Sequence, residues 1–194
     1  MFQNLNSKFE KLITSVNCSS FIFNENNQVG NSFGEKLTNS IQEIYSKGFQ
    51  KVIVIGNDCP ALNSTILQSA ITSLQTNSVV VGPNYNGGLY LIGINKENFT
   101  KEDFQQLNWQ TNTLHSNFKN YFDGAIVELK TLNDLNNFKD IQDFIVNSTS
   151  SFIRNLLLSF QLTFLFFYSF IHQILSLIVI KNPLNKGSPV VLYS

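Results

Sequence analysis

The chain has 194 residues, 43% hydrophobic and only 13% charged, which excludes a disordered, electrostatically extended protein and fits one domain with a substantial core. Thirteen basic residues balance thirteen acidic ones and the pI is about 6.7, so there is no basic face for a phosphate backbone and nucleic acid is excluded as a partner. Two cysteines, Cys18 and Cys59, and two histidines, His115 and His172, are too few for a disulfide framework or a Cys/His zinc site.

That cysteine usage suits a reducing compartment, and the opening MFQNLNSKFEKLITSV lacks the pattern of a signal peptide, so the expected location is cytoplasmic. Leu5 to Val16 carries apolar residues at three- and four-residue spacings and predicts a helix, and SSFIFN predicts a short strand. Ser32 to Lys47 places Phe33, Leu37, Ile41 and Ile44 on one face. Ser32 and Glu35 are spaced as a capping box there, and Gly48 is the stop. Lys51 to Gly56, KVIVIG, is a continuous β-branched run of the kind buried on both faces of a sheet. A helix from Asn63 to Leu74 follows, capped by Ser64 or Asn63, then the buried strand SVVVG and, after PNYNGG, the strand LYLIGI. Strands separated by helical crossovers of roughly 15 to 20 residues predict an α/β domain with a mainly parallel sheet.

Ligands of open α/β sheets bind beyond the carboxyl ends of the strands, and two loops there have unusual composition. In GNDCPALNS, Asp58 lies just past a buried strand and before Pro60, whose fixed φ stiffens the loop. Asp58 is placed either to hold a divalent cation that bridges phosphates or to cap the following turn. In GPNYNGGLY, Gly87 and Gly88 allow either close approach of a ligand or a plain turn into the next strand.

The stretch from Gln28 to Gly93, read as QVGNSFGEKL, VIVIGNDCPAL and VVVGPNYNGGLYLIG, resembles a bacterial glycosyltransferase-like family, the arsenosugar-biosynthesis or selenodomain-associated transferases. LNWQTN, Leu107 to Asn112, resembles the family's Trp-Ser-Thr segment, and DLNNFKDI, Asp134 to Ile141, its closing Asp-x-Asp element. The resemblance implies a glycosyltransferase A fold, a Rossmann-like sandwich, that binds a nucleoside diphosphate sugar with magnesium or manganese and transfers the sugar to an acceptor. It implies Asp58 as the metal or nucleotide contact and Gly34 beside Glu35 in the family's Gly-Asp-Leu-Gly-Glu-Arg stretch. Asn86, Gly87 and Gly88 would lie on the sugar or phosphate side, with Trp109 and Thr111 at the acceptor. Asp134 and Asp140 would close the site, and Asp134 or Glu35 would activate an acceptor hydroxyl. Plainer roles exist for several: Trp109 as a core residue, Glu35 as a cap, Asp134 as a complement to a helix dipole.

The chain departs from the family in three places. It begins inside the family's first helix, without the first strand and its basic loop; Asn86 stands where an aspartate is usual; and Asn136 replaces a second carboxylate. Nucleotidyl transfer, with an NTP as donor, is the neighbouring chemistry, through a more distant similarity to the molybdenum-cofactor guanylyltransferases. A non-catalytic remnant and a membrane-associated interaction protein are the alternatives from other classes.

Residues 147–151, within VNSTSS, read as a linker between a domain of residues 1–146 and an apolar extension of residues 152–194. Asn155 to Ile180 lacks any Asp, Glu, Lys or Arg, a run longer than the roughly 20 residues that cross a bilayer. Ser169, His172, Gln173 and Ser176 share a helical face, as do Asn155, Ser159 and Thr163, which favours a helix lying on a membrane, packed on the domain or lining a homo-oligomer. The Phe cluster around Phe164, Phe166, Phe167 and Phe170 belongs to that surface, and NPLNKGSPVVLYS reads as a turn and a final strand.

Overall fold

The computed structural model describes residues 9–16, 18–24, 26–134 and 190–193. Residues 9–14 form α1, with Phe9, Leu12 and Ile13 buried at helical spacing, and Ser20–Ile22 forms β1. In α2, Phe33–Ser46, the Ser32 hydroxyl accepts from the Glu35 N–H and the Glu35 carboxylate accepts from the Asn31 N–H, so both members of the capping box are engaged. Leu37, Ile41, Ile44 and Tyr45 face inward, and the Tyr45 hydroxyl donates to the Ile94 carbonyl at 2.9 Å, which satisfies its polar end within the core. β2 is Lys51–Ile55, and α3, Ser64–Thr76, is capped by the Asn63 side chain on the Ile66 N–H. β3, Val79–Pro83, and β4, Leu89–Asn95, follow; then come the short helix α4, Lys101–Gln105, the helix α5, Leu114–Tyr121, and the edge strand β5, Val127–Glu128. The last strand, β6, is Val190–Tyr193.

One six-stranded sheet runs in the order β1, β6, β2, β4, β3, β5. The α/β class is as expected, but the pairing is mostly antiparallel: β2 with β4, β3 with β4, β2 with β6 and β1 with β6, leaving β3 with β5 as the parallel pair among named strands. Two antiparallel insertions correct the expected mainly parallel sheet, β4 between β2 and β3 and β6 between β1 and β2. The turn Asn84–Gly88 is far too short for a crossover, so β4 returns antiparallel to β3 and wedges between it and β2. β2 and β3 still run in the same direction, as the crossover through α3 requires.

Alternation along the strands builds a core on each face. Ile53, Ile55 and Val80 join Phe9, Leu12, Leu67, Ala70 and Leu74 on one face. Val52, Val54, Val79 and Val81 join Leu37, Ile41, Ile44, Phe104 and Phe118 on the other. The register breaks once: Gly82 pairs with Leu91 and Pro83 with Leu89, leaving Tyr90 as the extra residue of a β-bulge. Tyr90 therefore turns to the same core as Leu91, its ring lying so close over Gly82 that a Cβ there would fall 2.4 Å from it.

Two compact units divide the chain, residues 1–134 with 186–194, and residues 135–185. Residues 190–193 are strand residues of the first unit's sheet. The apolar run 155–180, His172, the Phe cluster, Asn136 and Asp140 lie outside the described residues. Among the described residues, no helix is long and apolar enough to cross a membrane.

Candidate functional site

The loop after β2 and the turn after β3 lie at the same end of the sheet, because those two strands share a direction. Beyond Ile55, the Gly56 N–H donates to the Tyr90 carbonyl at 3.1 Å, and the Asp58 carboxylate folds back so far that a Cβ on Gly56 would lie 2.8 Å from its Oδ1. Asp58 is half-buried, while Asn57, Cys59 and Pro60 on either side are buried, so the loop that presents the carboxylate is anchored in the core. Burial pushes the Cys59 thiol well above its ordinary value, and the nearby Asp134 and Asp58 carboxylates push it the same way. Burial likewise raises the Tyr90 phenol, helped by Cys59 and Asp134, and its hydroxyl donates to the Lys130 carbonyl at 2.8 Å.

The turn after β3 is organised by a residue that sequence reasoning passed over. The Asn84 side-chain oxygen accepts from the N–H groups of Asn86 and Gly88, its carbonyl accepts from Gly87, and its amide donates to the buried Asp134 carboxylate. An asparagine opening a turn before Gly-Gly is the signal that could have found it, since Asx turns have this pattern. The amides of Asn86, Gly87 and Gly88 are thus all spent inside the turn. Gly87 has φ 79°, and a Cβ on it would lie 1.9 Å from the Asn112 carbonyl oxygen, so its missing side chain makes room for another stretch of backbone. The side chains of Tyr85 and Asn86 project into solvent at the tip, with Tyr85 70% exposed.

That backbone belongs to the segment from Leu107 to Asn112. The His115 N–H donates to the Gly87 carbonyl at 2.9 Å, which fixes the start of α5 to the turn. Trp109 packs between Phe33 and Phe104, donates from Nε1 to the Phe104 carbonyl at 2.8 Å, and covers Gly34, where a Cβ would lie 2.6 Å from its ring. Thr111 accepts and donates within its own loop, to the Asn108 carbonyl and Thr113. The structure therefore joins predicted residues in contacts that chain sequence alone does not show: Gly34 with Trp109, Gly87 with the Thr111 loop, and Asp134 with the Asn84 turn. Glu35 sits apart from those contacts, in the cap of α2.

For a cation, the site offers oxygen donors. Among the described residues no three His, Cys, Asp or Glu side chains converge to cage a metal ion. A single half-buried carboxylate such as Asp58 is the oxygen donor type that magnesium or manganese takes when substrate phosphates and water complete the shell.

Residues 19–111 match the model of a family described as an uncharacterized protein conserved in bacteria, DUF2064. Among solved structures, the chain is similar to a "putative nucleotide-diphospho-sugar transferase" from Desulfovibrio desulfuricans G20, with 26% identity and a TM-score of 0.59; the match covers 68% of this chain and 61% of that one. This chain thus spans less than two thirds of that protein's length. No curated protein matches the sequence.

Proposed function

We propose that the chain is a glycosyltransferase-like protein that binds a nucleoside diphosphate sugar at the carboxyl ends of β2 and β3 and transfers the sugar to an acceptor. The observation that carries the reading is that the Asp58 loop after β2 and the Asn84-centred turn after β3, held by Asp134, lie at the same end of the sheet. The likeness to the Desulfovibrio protein supports it.

In this reading Asp58 holds a magnesium or manganese ion, which when bound supplies the positive charge that a departing nucleoside diphosphate needs. The anchored loop, stiffened by Pro60, keeps that carboxylate in place before substrate arrives, so its ordering is not a cost of binding. Asp134 acts as a positioning residue: by holding the Asn84 amide it sets the turn that carries Tyr85 and Asn86. Because the turn amides are internally satisfied, the sugar is met by the Asn86 carboxamide and the Tyr85 ring rather than by a backbone nest. Thr111 and Asn112 form the neighbouring rim, toward the acceptor, and Trp109 fixes that rim to α2 through Gly34. Glu35 keeps the start of α2 in register.

The test is thermal stabilisation of the purified chain by nucleoside diphosphate sugars and nucleoside triphosphates, with manganese or magnesium and then with chelator. Binding to the folded state raises Tm by mass action. A metal-dependent rise with a nucleotide sugar that is lost in Asp58→Ala is the expected result. A rise only with triphosphates would instead favour nucleotidyl transfer, and no rise in a folded chain would sink the proposal.

A further inference from the structure

Moving a sugar onto a hydroxyl frees that hydroxyl's proton, and the two carboxylates expected to take it are engaged elsewhere, Glu35 in the cap of α2 and Asp134 on the Asn84 amide. His115 stands where a base is wanted. It is the second residue of α5, just after the Thr111 loop, and its N–H holds the Gly87 carbonyl at 2.9 Å, so its backbone is fixed at the junction of the sugar-side turn and the acceptor rim. The ring Nε2 is buried, has no hydrogen-bond partner among the described residues and lies 3.5 Å from Glu128 Oε1, while 26% of the side chain stays exposed. Lys119 donates to the same Glu128 oxygen at 2.8 Å, and that hydrogen bond, with a smaller contribution from His115, holds the carboxyl below its ordinary value, so Glu128 is an anionic acceptor facing Nε2. The turn 84–88 brings the Tyr85 phenol as its one titratable group, and the segment 107–113 brings none.

We propose that His115 is the general base of the transfer, taking the acceptor's proton on Nδ1 while Glu128 orients the ring, an assignment that rests on the transferase reading above. A carboxylate facing Nε2 favours the tautomer with its proton there, which leaves the Nδ1 lone pair for the acceptor. A contact of 3.5 Å is of the length that catalytic hydrogen bonds have before substrate tightens them. In the step itself the acceptor oxygen bonds to the anomeric carbon, and the bond from that carbon to the diphosphate oxygen breaks with its electron pair on the departing nucleoside diphosphate. The acceptor proton passes to His115 and then to solvent. A ring already protonated by solvent is no base, so the rate falls on the acid side of neutrality.

The test uses the full chain with manganese, UDP-glucose or GDP-mannose as donor and water or glycerol as acceptor, and reads the nucleoside diphosphate released. His115→Gln should lower kcat about 10²- to 10⁴-fold, with the donor KM and the Tm rise retained and the fall of rate in acid gone. Glu128→Gln, which keeps the base but loosens it, should lose about 10- to 100-fold in kcat. In His115→Ala, imidazole in solution should restore part of the rate, which a purely structural role does not allow. An unchanged kcat in His115→Gln overturns the assignment and leaves the transferase reading intact, and so does a kcat lost together with the Tm rise in the folded variant. The unmodified chain supplies a check that needs no variant, because a kcat that stays flat through the acid side of neutrality overturns the assignment too. Donor bound without turnover also overturns it; a chain that neither binds nor turns over these donors fails at the transferase reading itself, and the base falls with it.

Discussion

On one face of the sheet, α1 and α3 bury Phe9, Leu12, Leu67, Ala70, Ile71 and Leu74 with Ile53, Ile55 and Val80, a mostly aliphatic layer laid down by helices of regular period. On the other, beyond the regular α2, the layer is aromatic: Phe99, Phe104, Trp109, Phe118 and Phe122 stand ring against ring at centroid separations of 4.9 to 5.8 Å along short helices and loops. The aliphatic face holds a loop of its own, since Cys59 and Leu62 of the segment that presents Asp58 are buried in it. The aromatic face is what keeps the Trp109–Asn112 segment in place, since Trp109 ties that loop to Phe104 and Gly34. Both faces therefore stabilise the domain, and each also fixes a different part of the site: the aliphatic one the Asp58 loop, the aromatic one the Trp109–Asn112 rim.

That contrast can be broken most forcefully at Phe104, which is fully buried at the centre of the ring cluster. Phe104→Ala should cost about 3 to 5 kcal/mol in urea unfolding and also remove the Tm response to nucleotide sugar, because the rim loses its anchor. Leu67→Ala on the aliphatic face should cost about 2 to 5 kcal/mol yet keep that response in the protein that remains folded. Equal loss of the ligand response in both would erase the distinction. A smaller effect is expected at Asn84→Ala, which withdraws a donor from the buried Asp134 and an acceptor from two turn amides, a loss of about 1 to 3 kcal/mol in urea unfolding.

The smallest effect should be at the outer edge, where Glu128 on β5 meets Lys119 of α5 at 2.8 Å and His115 at 3.5 Å. The hydrogen bond from Lys119, and to a lesser extent the His115 and Lys119 charges, hold the Glu128 carboxyl below the ordinary carboxylate value, against a slight burial effect. A lowered folded pKa means that the stabilisation is complete above the ordinary value and disappears as pH falls through the lowered one. The group is exposed, so Glu128→Gln should lower Tm only slightly at neutral pH and not at all in strong acid. A difference that persists in acid would mean that the charge is not its source.

Elements whose signals are local were legible in the sequence. The Ser32 and Glu35 cap, the Asn63 cap, the buried runs at Val52 and Val79 and the placement of Asp58 past a strand end all depend on residues within a few positions of one another. The site's organisation depends on long-range contacts instead. Asn84 finds Asp134, Gly87 finds Asn112, and Tyr90 finds Lys130, and no periodicity announces such pairs. The pairing departs from the expected mainly parallel sheet for a related reason: the short Asn84–Gly88 turn returns β4 antiparallel between β2 and β3, and residues 190–193, remote in the chain, enter antiparallel beside β2. Trp109 and Glu35 show the opposite case, where the plain structural role weighed from sequence is the one their contacts display.

The place of β6 also sets the timing of folding during synthesis. β2 leaves the ribosome with one edge awaiting residues 190–193, and at about 5 to 20 residues per second the partner strand follows roughly 7 to 30 seconds later. For that interval KVIVI is an unpaired β-branched edge in a crowded cell, the kind of segment that nascent-chain chaperones shield and that neighbouring polysomes join by mistake. Yield on expression should therefore depend on the speed at which residues 56–193 are translated, independently of how stable the finished sheet is.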